Sequence, residues 1–368
     1  MKIDCVHFYI RDAAKAKDWF VRNVGFKAIA TSKNEHTQTE IVSLNSARLA
    51  FSSPLNSRSP VAEYLKSHPS GVTDVAFRVQ NIQSILDRAK SLGLNILQPL
   101  KICSSSLGKF KQAQIQGWNC LHHTLIEEIT DKFTDKFNAY LPNTARKSQA
   151  SGSETSITHI DHIVLNVSAG KLHSAVELYQ ALFGFRIQQS FKIKTQTSGL
   201  YSQALIDESG EVQFNINEPT SSNSQIQEFI DLNGGSGIQH LALRSQNLIR
   251  DVARMQQQGV DFLKIPSSYY DLLDKNLGLS VAERKAIAAR QILVDRENSP
   301  TTENVAKNSR SLLMQIFTQP MFEQPTFFLE FIERRQQARG FGRGNFTELF
   351  AAVEREQSKN DWRATIQP

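Results

Sequence analysis

Short runs in which apolar and polar positions alternate recur along this 368-residue chain, and between them lie stretches whose apolar positions fall at helical spacing. The opening MKIDCVHFYI and the later IDHIVLNV, GIQHLALR and PTFFLEFIE carry the period of two that predicts strands. Successive side chains of a strand point to opposite faces, so Ile160, His162 and Val164 share one face while Asp161, Ile163 and Leu165 share the other. By the same rule His240 aligns with Ala242 and Arg244, opposite Leu241 and Leu243, and Glu330 aligns with Phe328 and Ile332. Helical spacing links Trp19, Phe20 and Val24, then Val176, Tyr179, Leu182 and Phe183, and near the end Phe346, Leu349, Phe350 and Val353.

These patterns repeat. GVTDVAFRVQNIQSILDRAKSLGLNIL, from Gly71, returns as GIQHLALRSQNLIRDVARMQQQGVDFL, from Gly237. VHFYIRDAAKAKDWFVRNVGFKAIA, from Val6, matches DHIVLNVSAGKLHSAVELYQALFGFRIQQ, from Asp161. Each half is therefore expected to be built from βαβ-type units, two copies of one module. A chain of this length exceeds one ordinary core and fits two domains of about 150 to 200 residues each. The division expected is a first domain over 1–140, a linker over 141–158 (LPNTARKSQASGSETSIT, aperiodic and rich in small polar residues) and a second domain over 159–368. The polar stretch 295–310 reads as a surface loop between Ile292-Leu293-Val294 and LLMQIF.

Composition narrows the class. Apolar content of 40% and charged content of 21% describe a globular chain, and no run approaches the length of a membrane span. The start reads as a strand rather than a secretory leader, so a cytoplasmic location is expected. The formal charge of +6 is dispersed without a basic stripe interleaved with aromatics, which argues against nucleic-acid binding. Cys5, Cys103 and Cys120 lack metal or redox spacing and read as reduced structural thiols.

His162, His240 and Glu330 are the candidate chemistry. Two imidazoles and one carboxylate form the set that holds non-haem Fe(II) on one face and leaves positions open for substrate and O2. Each sits on a strand whose opposite face is apolar, which suits the inside of an open barrel. Singly, a buried His or Glu is most often a hydrogen-bonded core residue; the case rests on the three together and on the repeat around them. In the first half His7 falls opposite His162, Asp74 opposite His240, and Glu128 near Glu330 only across a gap, so that half reads as a structural shell without metal. His122 and His123 face opposite sides of their strand and cannot both bind one ion undistorted. Gln239 and Gln315 are amides in apolar runs and need partners, for which a polar ligand, the backbone and buried water all qualify. The helix of Phe346 and Leu349 packs on the core or, with the glycines of the preceding GFGRG as a hinge, serves as a lid.

DHIVLNV, INEP (216–219), SQIQEFIDLNGGSGIQHLALRSQNL, IPSSYYD, LLMQIFTQP, PTFFLEFIERR and GFGRGNFTELFAAVEREQ resemble, in order, the 4-hydroxyphenylpyruvate dioxygenases of the vicinal-oxygen-chelate superfamily. The first half resembles them more loosely, in HFYI, WFV, GF and GVTDVAF. The resemblance implies an α+β fold of two tandem open β-barrels, made of paired βαβββ or βαββ modules, with one Fe(II) per chain in the C-terminal barrel on His162, His240 and Glu330. It implies roles in orienting substrate for Ser202, Asn217, Gln225, Gln239 and Gln315, a cavity lined by Phe317 and Phe328, and closure by Phe341, Asn345, Phe346 and Leu349. It departs at Asn215, in FNINEP, where the family pattern leads us to expect proline.

The implied reaction is Fe(II)- and O2-dependent conversion of 4-hydroxyphenylpyruvate to homogentisate and CO2, in tyrosine breakdown or in quinone and tocopherol precursor synthesis. Three readings compete. Hydroxymandelate synthase shares fold, metal and substrate but hydroxylates the benzylic carbon; an extradiol dioxygenase shares the ligand set but leaves the GFGRGNF tail unexplained; a non-catalytic binding protein of the superfamily would need no intact ligand set. The resemblance further implies a homodimer or tetramer formed through the N-terminal half, and no nucleic-acid or membrane partner.

Overall fold

The computed structural model describes residues 1–105, 108–129, 145–146, 155–194, 199–271, 273, 277–296, 311–336, 338–342 and 344–345. Its first half runs β1 (Lys2–Tyr9), α1 (Ala13–Trp19), β2 (Lys27–Lys33), β3 (Thr37–Leu44), β4 (Ala47–Pro54), α2 (Pro60–Tyr64), β5 (Gly71–Arg78), α3 (Ile82–Ser91), β6 (Ile96–Ser105), β7 (Gly108–Gln116), β8 (His122–Glu128) and a two-residue β9 (Ala145–Arg146). The second half runs β10 (Ile157–Asn166), α4 (Leu172–Phe183), β11 (Arg186–Lys194), β12 (Gly199–Ile206), β13 (Gln213–Pro219), α5 (Gln225–Asn233), β14 (Gly237–Ser245), α6 (Leu248–Gln257), α7 (Ser267–Asp271), α8 (Val281–Arg290), β15 (Leu293–Arg296), β16 (Leu312–Phe317) and β17 (Phe328–Arg335). No helix among the described residues is long and apolar enough to cross a membrane.

Two sheets result, in the orders β6-β7-β8-β5-β1-β4-β3-β2-β9 and β11-β12-β13-β10-β14-β17-β16-β15. Each sheet is a pair of βαβββ modules joined at its centre by an antiparallel pair, β1 with β5 and β10 with β14. The first strand of each module then pairs in parallel with its last: β1 with β4, β5 with β8, β10 with β13 and β14 with β17. The fold is thus α+β, two tandem open barrels, and its duplication goes one level deeper than the two matched segments. Of the expected linker, Ala145–Arg146 add an edge strand against β2, and Ile157 and Thr158 already belong to β10. The expected loop likewise starts inside β15, where Asp295 and Arg296 pair with Leu313 and Leu312; 297–310 lie outside the described residues.

Pairing corrects the alignment of the two halves. Asp161 is an extra residue in β10, between Ile160 opposite Leu243 and His162 opposite Ala242. Asp4 is the same extra residue in β1, between Ile3 opposite Phe77 and Cys5 opposite Ala76. With the two bulges superposed, Cys5 and not His7 stands where His162 does, and His7 matches Val164. Asp74 does match His240, and extending the parallel register from Asp74 opposite His122 brings Thr124, not Glu128, to the place of Glu330. The bulge stands at the same place in both copies, and matching His7 to His162 sets the two strands two residues out of step.

The apolar faces meet. Val6, Phe8, Phe51 and Phe77 of the first sheet share one buried cluster with Ile163, Leu165, Leu241, Leu243, Leu329 and Phe331 of the second. Phe8 packs edge-on against Phe327, with centroids 5.0 Å apart, and Phe77 against Phe183 at 5.2 Å. α4 buries Val176, Tyr179 and Leu182 as its spacing predicts, and half-buries Phe183. After α1 the chain widens into a π-type turn over Phe20–Val24, which buries Phe20 and Val24 and stops at Gly25 with φ 96°. His122 and His123 separate as expected: His123 is fully buried against Tyr179 and Val75, while His122 is partly exposed. Cys5, Cys103 and Cys120 are all free thiols.

Candidate metal centre

The other face of the second sheet sets buried polar groups among aromatic and aliphatic ones. β10, β14 and β17 are neighbours, with His162 opposite Ala242 and Ala242 opposite Glu330, so His162 and Glu330 lie in one row and His240 sits one step along. Their ligand atoms lie within 4.8 Å of one another. Glu330 Oε2 is 3.2 Å from His162 Nε2 and 3.5 Å from His240 Nε2. Adjacent ligands of an octahedral ion with bonds near 2.1 Å stand about 3 Å apart, so the three fit one divalent metal. All three are buried, Glu330 at 1%, His162 at 2% and His240 at 6% exposure, where uncompensated charge is costly.

Electrostatics prepare the site. Burial works against an ionised Glu330, yet the two imidazoles hold its carboxyl down at about 2. Burial likewise disfavours a charged His162, but Glu330 and Asp161 raise it to about 9. His240 is lowered by burial, which outweighs Glu330. A metal ion would take the place of the proton His162 otherwise attracts.

Around these three the wall is built from neighbouring strands. Asp161 Oδ1 accepts from His162 Nδ1 at 2.9 Å and turns Nε2 toward Glu330. Strict alternation would have pointed Asp161 away; the bulge brings it round. Gln315 Nε2 donates to Glu330 Oε1 at 2.9 Å, leaving Oε2 to face the histidines, and Gln315 Oε1 accepts from Asn345 Nδ2 at 2.8 Å. Phe328 stacks on His240 with centroids 4.7 Å apart, Phe317 meets it edge-on at 6.4 Å, and Phe341 packs edge-on against His162 at 5.3 Å. Gly342 has φ 73°, and a Cβ there would lie 1.9 Å from Gln315 Oε1, so only glycine lets the chain pass this close.

Ser202, on β12, faces Asn217, on β13, which faces Asn166, on β10. Asn217 Nδ2 donates to Asn166 Oδ1 at 3.2 Å, while Ser202 Oγ, Asn166 Nδ2, Asn215 Oδ1 and His240 Nδ1 are buried with no partner in the protein. Unpartnered buried polar atoms cost about 1 to 3 kcal/mol each and mark where a polar ligand would bond. Gln225 is buried in the first turn of α5. Gln239 is the extra residue of a further bulge, between Ile238 opposite Leu165 and His240 opposite Val164, and is only half-buried. Phe346 and Leu349 lie outside the described residues. Asp161, Asn166 and Arg334, which ion-pairs with Asp161 at 2.6 Å, were not singled out from sequence; the Asp-His pair of IDHIVLNV was the signal available for the first.

In the first half the matching face is closed by its own bonds. Asp74 accepts from Thr124 Oγ1 at 2.7 Å and from Gln114 Nε2 at 2.6 Å, and His7 bonds Ser52 Oγ at 2.7 Å. Among the described residues the only cluster able to hold a metal is His162, His240 and Glu330.

Residues 159–273 match the Glyoxalase/Bleomycin resistance protein/Dioxygenase superfamily. The chain is 34% identical to a protein of Synechocystis sp. described as uncharacterized, over 96% of this chain and 97% of that one. It is 31% identical to 4-hydroxyphenylpyruvate dioxygenase of Yarrowia lipolytica, over 97% of this chain and 92% of that one. A triple mutant of 4-hydroxymandelate synthase from Streptomyces coelicolor superposes with a TM-score of 0.83 at 26% identity, over 97% of this chain and 98% of that one. Full-length likeness to a named dioxygenase, on a fold whose second barrel gathers two histidines and a glutamate, means that the chain is a metal-dependent dioxygenase and belongs to the 4-hydroxyphenylpyruvate dioxygenase family of the vicinal-oxygen-chelate superfamily.

Proposed function

We propose that this protein converts 4-hydroxyphenylpyruvate and O2 to homogentisate and CO2, with one Fe(II) held by His162, His240 and Glu330. The observation that carries the reading is the convergence of those three ligand atoms beside a wall of unpartnered buried polar atoms. Fe(II), when bound, supplies a Lewis-acid centre for the 2-oxo acid and the electrons that activate O2. The residues supply the rest. Ser202, Asn217, Gln225, Gln239 and Gln315 orient the phenol and the 2-oxo acid, and the free valences of Ser202 Oγ and Asn166 Nδ2 suit such a ligand. Phe317 and Phe328 hold the aromatic ring, and Phe341 and Asn345 close the cavity and keep water from the reacting atoms. One atom of O2 ends in the new carboxylate and the other on the ring, so the products balance without a second 2-oxo acid.

4-Hydroxymandelate synthase chemistry is the second reading, favoured by the solved-structure likeness. The test is anaerobic loading with Fe(II), addition of 4-hydroxyphenylpyruvate, admission of O2, and identification of the product by mass. Homogentisate with matched CO2 is expected. Hydroxymandelate would transfer the assignment to the synthase, and no O2-dependent product from iron-loaded protein would refute both.

A two-domain division, with the linker confined between Arg146 of the first sheet and Ile157 of β10, is part of the same proposal, as is a homodimer or tetramer through the N-terminal half. Leu97, Leu100 and Ile102 stand exposed on β6, an edge strand of the first sheet, which supports an interface there; light scattering on the full chain decides it.

A further inference from the structure

We infer that Arg334 is a positioning residue that couples seating of the turn at 338–341 to the orientation of the metal ligand His162. The inference rests on the metal reading above but concerns a residue outside the ligand set. Arg334 is buried at the end of β17 and faces two ways. On one side its Nε donates to Asp161 Oδ2 at 2.9 Å and its Nη2 to Asp161 Oδ1 at 2.6 Å, a two-pronged grip on the carboxylate that accepts from His162 Nδ1. On the other side its Nη1 donates to the carbonyls of Gly340 and, at 3.5 Å, of Ala338. Its guanidinium also stands over the Phe341 ring, 5.8 Å from the centroid, and that ring packs against His162.

The contacts close a loop: His162, Asp161, Arg334, the 338–341 turn, Phe341 and back to His162. Arg244 adds a second cation to Asp161 at 3.1 Å and donates to the Arg334 carbonyl at 3.2 Å, so loss of Arg334 leaves the carboxylate charged and paired but free to turn. A planar fork can hold a carboxylate and carbonyls at once, whereas an ammonium on a flexible stem cannot fix both directions. Carboxylates that orient a metal-binding histidine typically contribute 10- to 100-fold to metal affinity. Because linkage is reciprocal, metal binding should in turn hold the 338–345 segment in place.

The test uses the full chain, with Fe(II) affinity measured by chelator competition under nitrogen and hydrogen exchange of residues 338–345 followed with and without Fe(II). Wild-type protein should exchange more slowly in that segment when Fe(II) is bound. Arg334→Met should bind Fe(II) about 10- to 100-fold more weakly and exchange at one rate with or without it. Arg334→Lys, which keeps the charge if the methionine variant does not fold, should retain most of the affinity yet lose the Fe(II)-dependent protection. Protection kept in either variant overturns the inference, as does wild-type affinity in Arg334→Met. Wild-type protein that takes up no Fe(II) overturns the metal reading itself and this inference with it.

Discussion

Gln315 illustrates how much one side chain can carry. Its amide nitrogen fixes one oxygen of Glu330 and its carbonyl oxygen fixes Asn345, so it shapes the site without being among the three candidate ligands. Gln315→Ala should therefore keep Fe(II) binding within a few-fold while raising KM and lowering turnover, whereas Glu330→Ala should lose both metal and turnover. Chelator competition beside steady-state kinetics separates the two; loss of metal in Gln315→Ala would mean that its amide serves to orient Glu330 rather than the substrate. Sequence singled out Gln315 because a buried amide must be paired, and it singled out the ligands because alternation put them on inward faces. It did not reach Arg334, whose value lies in what stands on either side of it.

At the scale of the element, β5 and β14 are the same strand with different cargo. β14 carries His240 where β5 carries Asp74, and the two surroundings treat them differently. Burial lifts the Asp74 carboxyl to about 6 from 3.8, against the pull of its hydrogen bonds from Thr124 and Gln114. The folded value lies above the unfolded one, so the native chain binds the extra proton between them. Stability from this residue is complete below pH 3.8 and is lost as pH rises through about 6, by about 3 kcal/mol at most. Urea titrations should show wild-type protein losing stability relative to Asp74→Asn over that window; a pH-independent difference would mean that folding leaves the Asp74 carboxyl unshifted. Strand type and position were legible in the sequence at both places. The bulges at Asp4, Asp161 and Gln239 were not, because an extra residue in one strand shows only against its partner, and the one at Asp161 re-aims a side chain that alternation had assigned to the opposite face.

Across the whole molecule the two barrels share a core. Phe8 of the first touches Phe327 of the second as well as Phe51 and Phe322, so the halves bury one another's apolar faces. The described residues should unfold in one cooperative transition, and Phe8→Ala should lower stability by about 3 to 5 kcal/mol without splitting that transition; calorimetry resolving two transitions, one unaffected by Phe8→Ala, would show that each half stands alone. By itself the sequence determined the duplication, the strands and the three candidate ligands, because periodicity is a property of local spacing, while the α+β class came from the resemblance of its motifs to a known family. Only the tertiary structure decided which residues of the two halves correspond, that Asp161 reaches His162, and that Arg334 joins His162 to the C-terminal turn, because register, bulges and the meeting of distant segments depend on partners that the linear order does not specify.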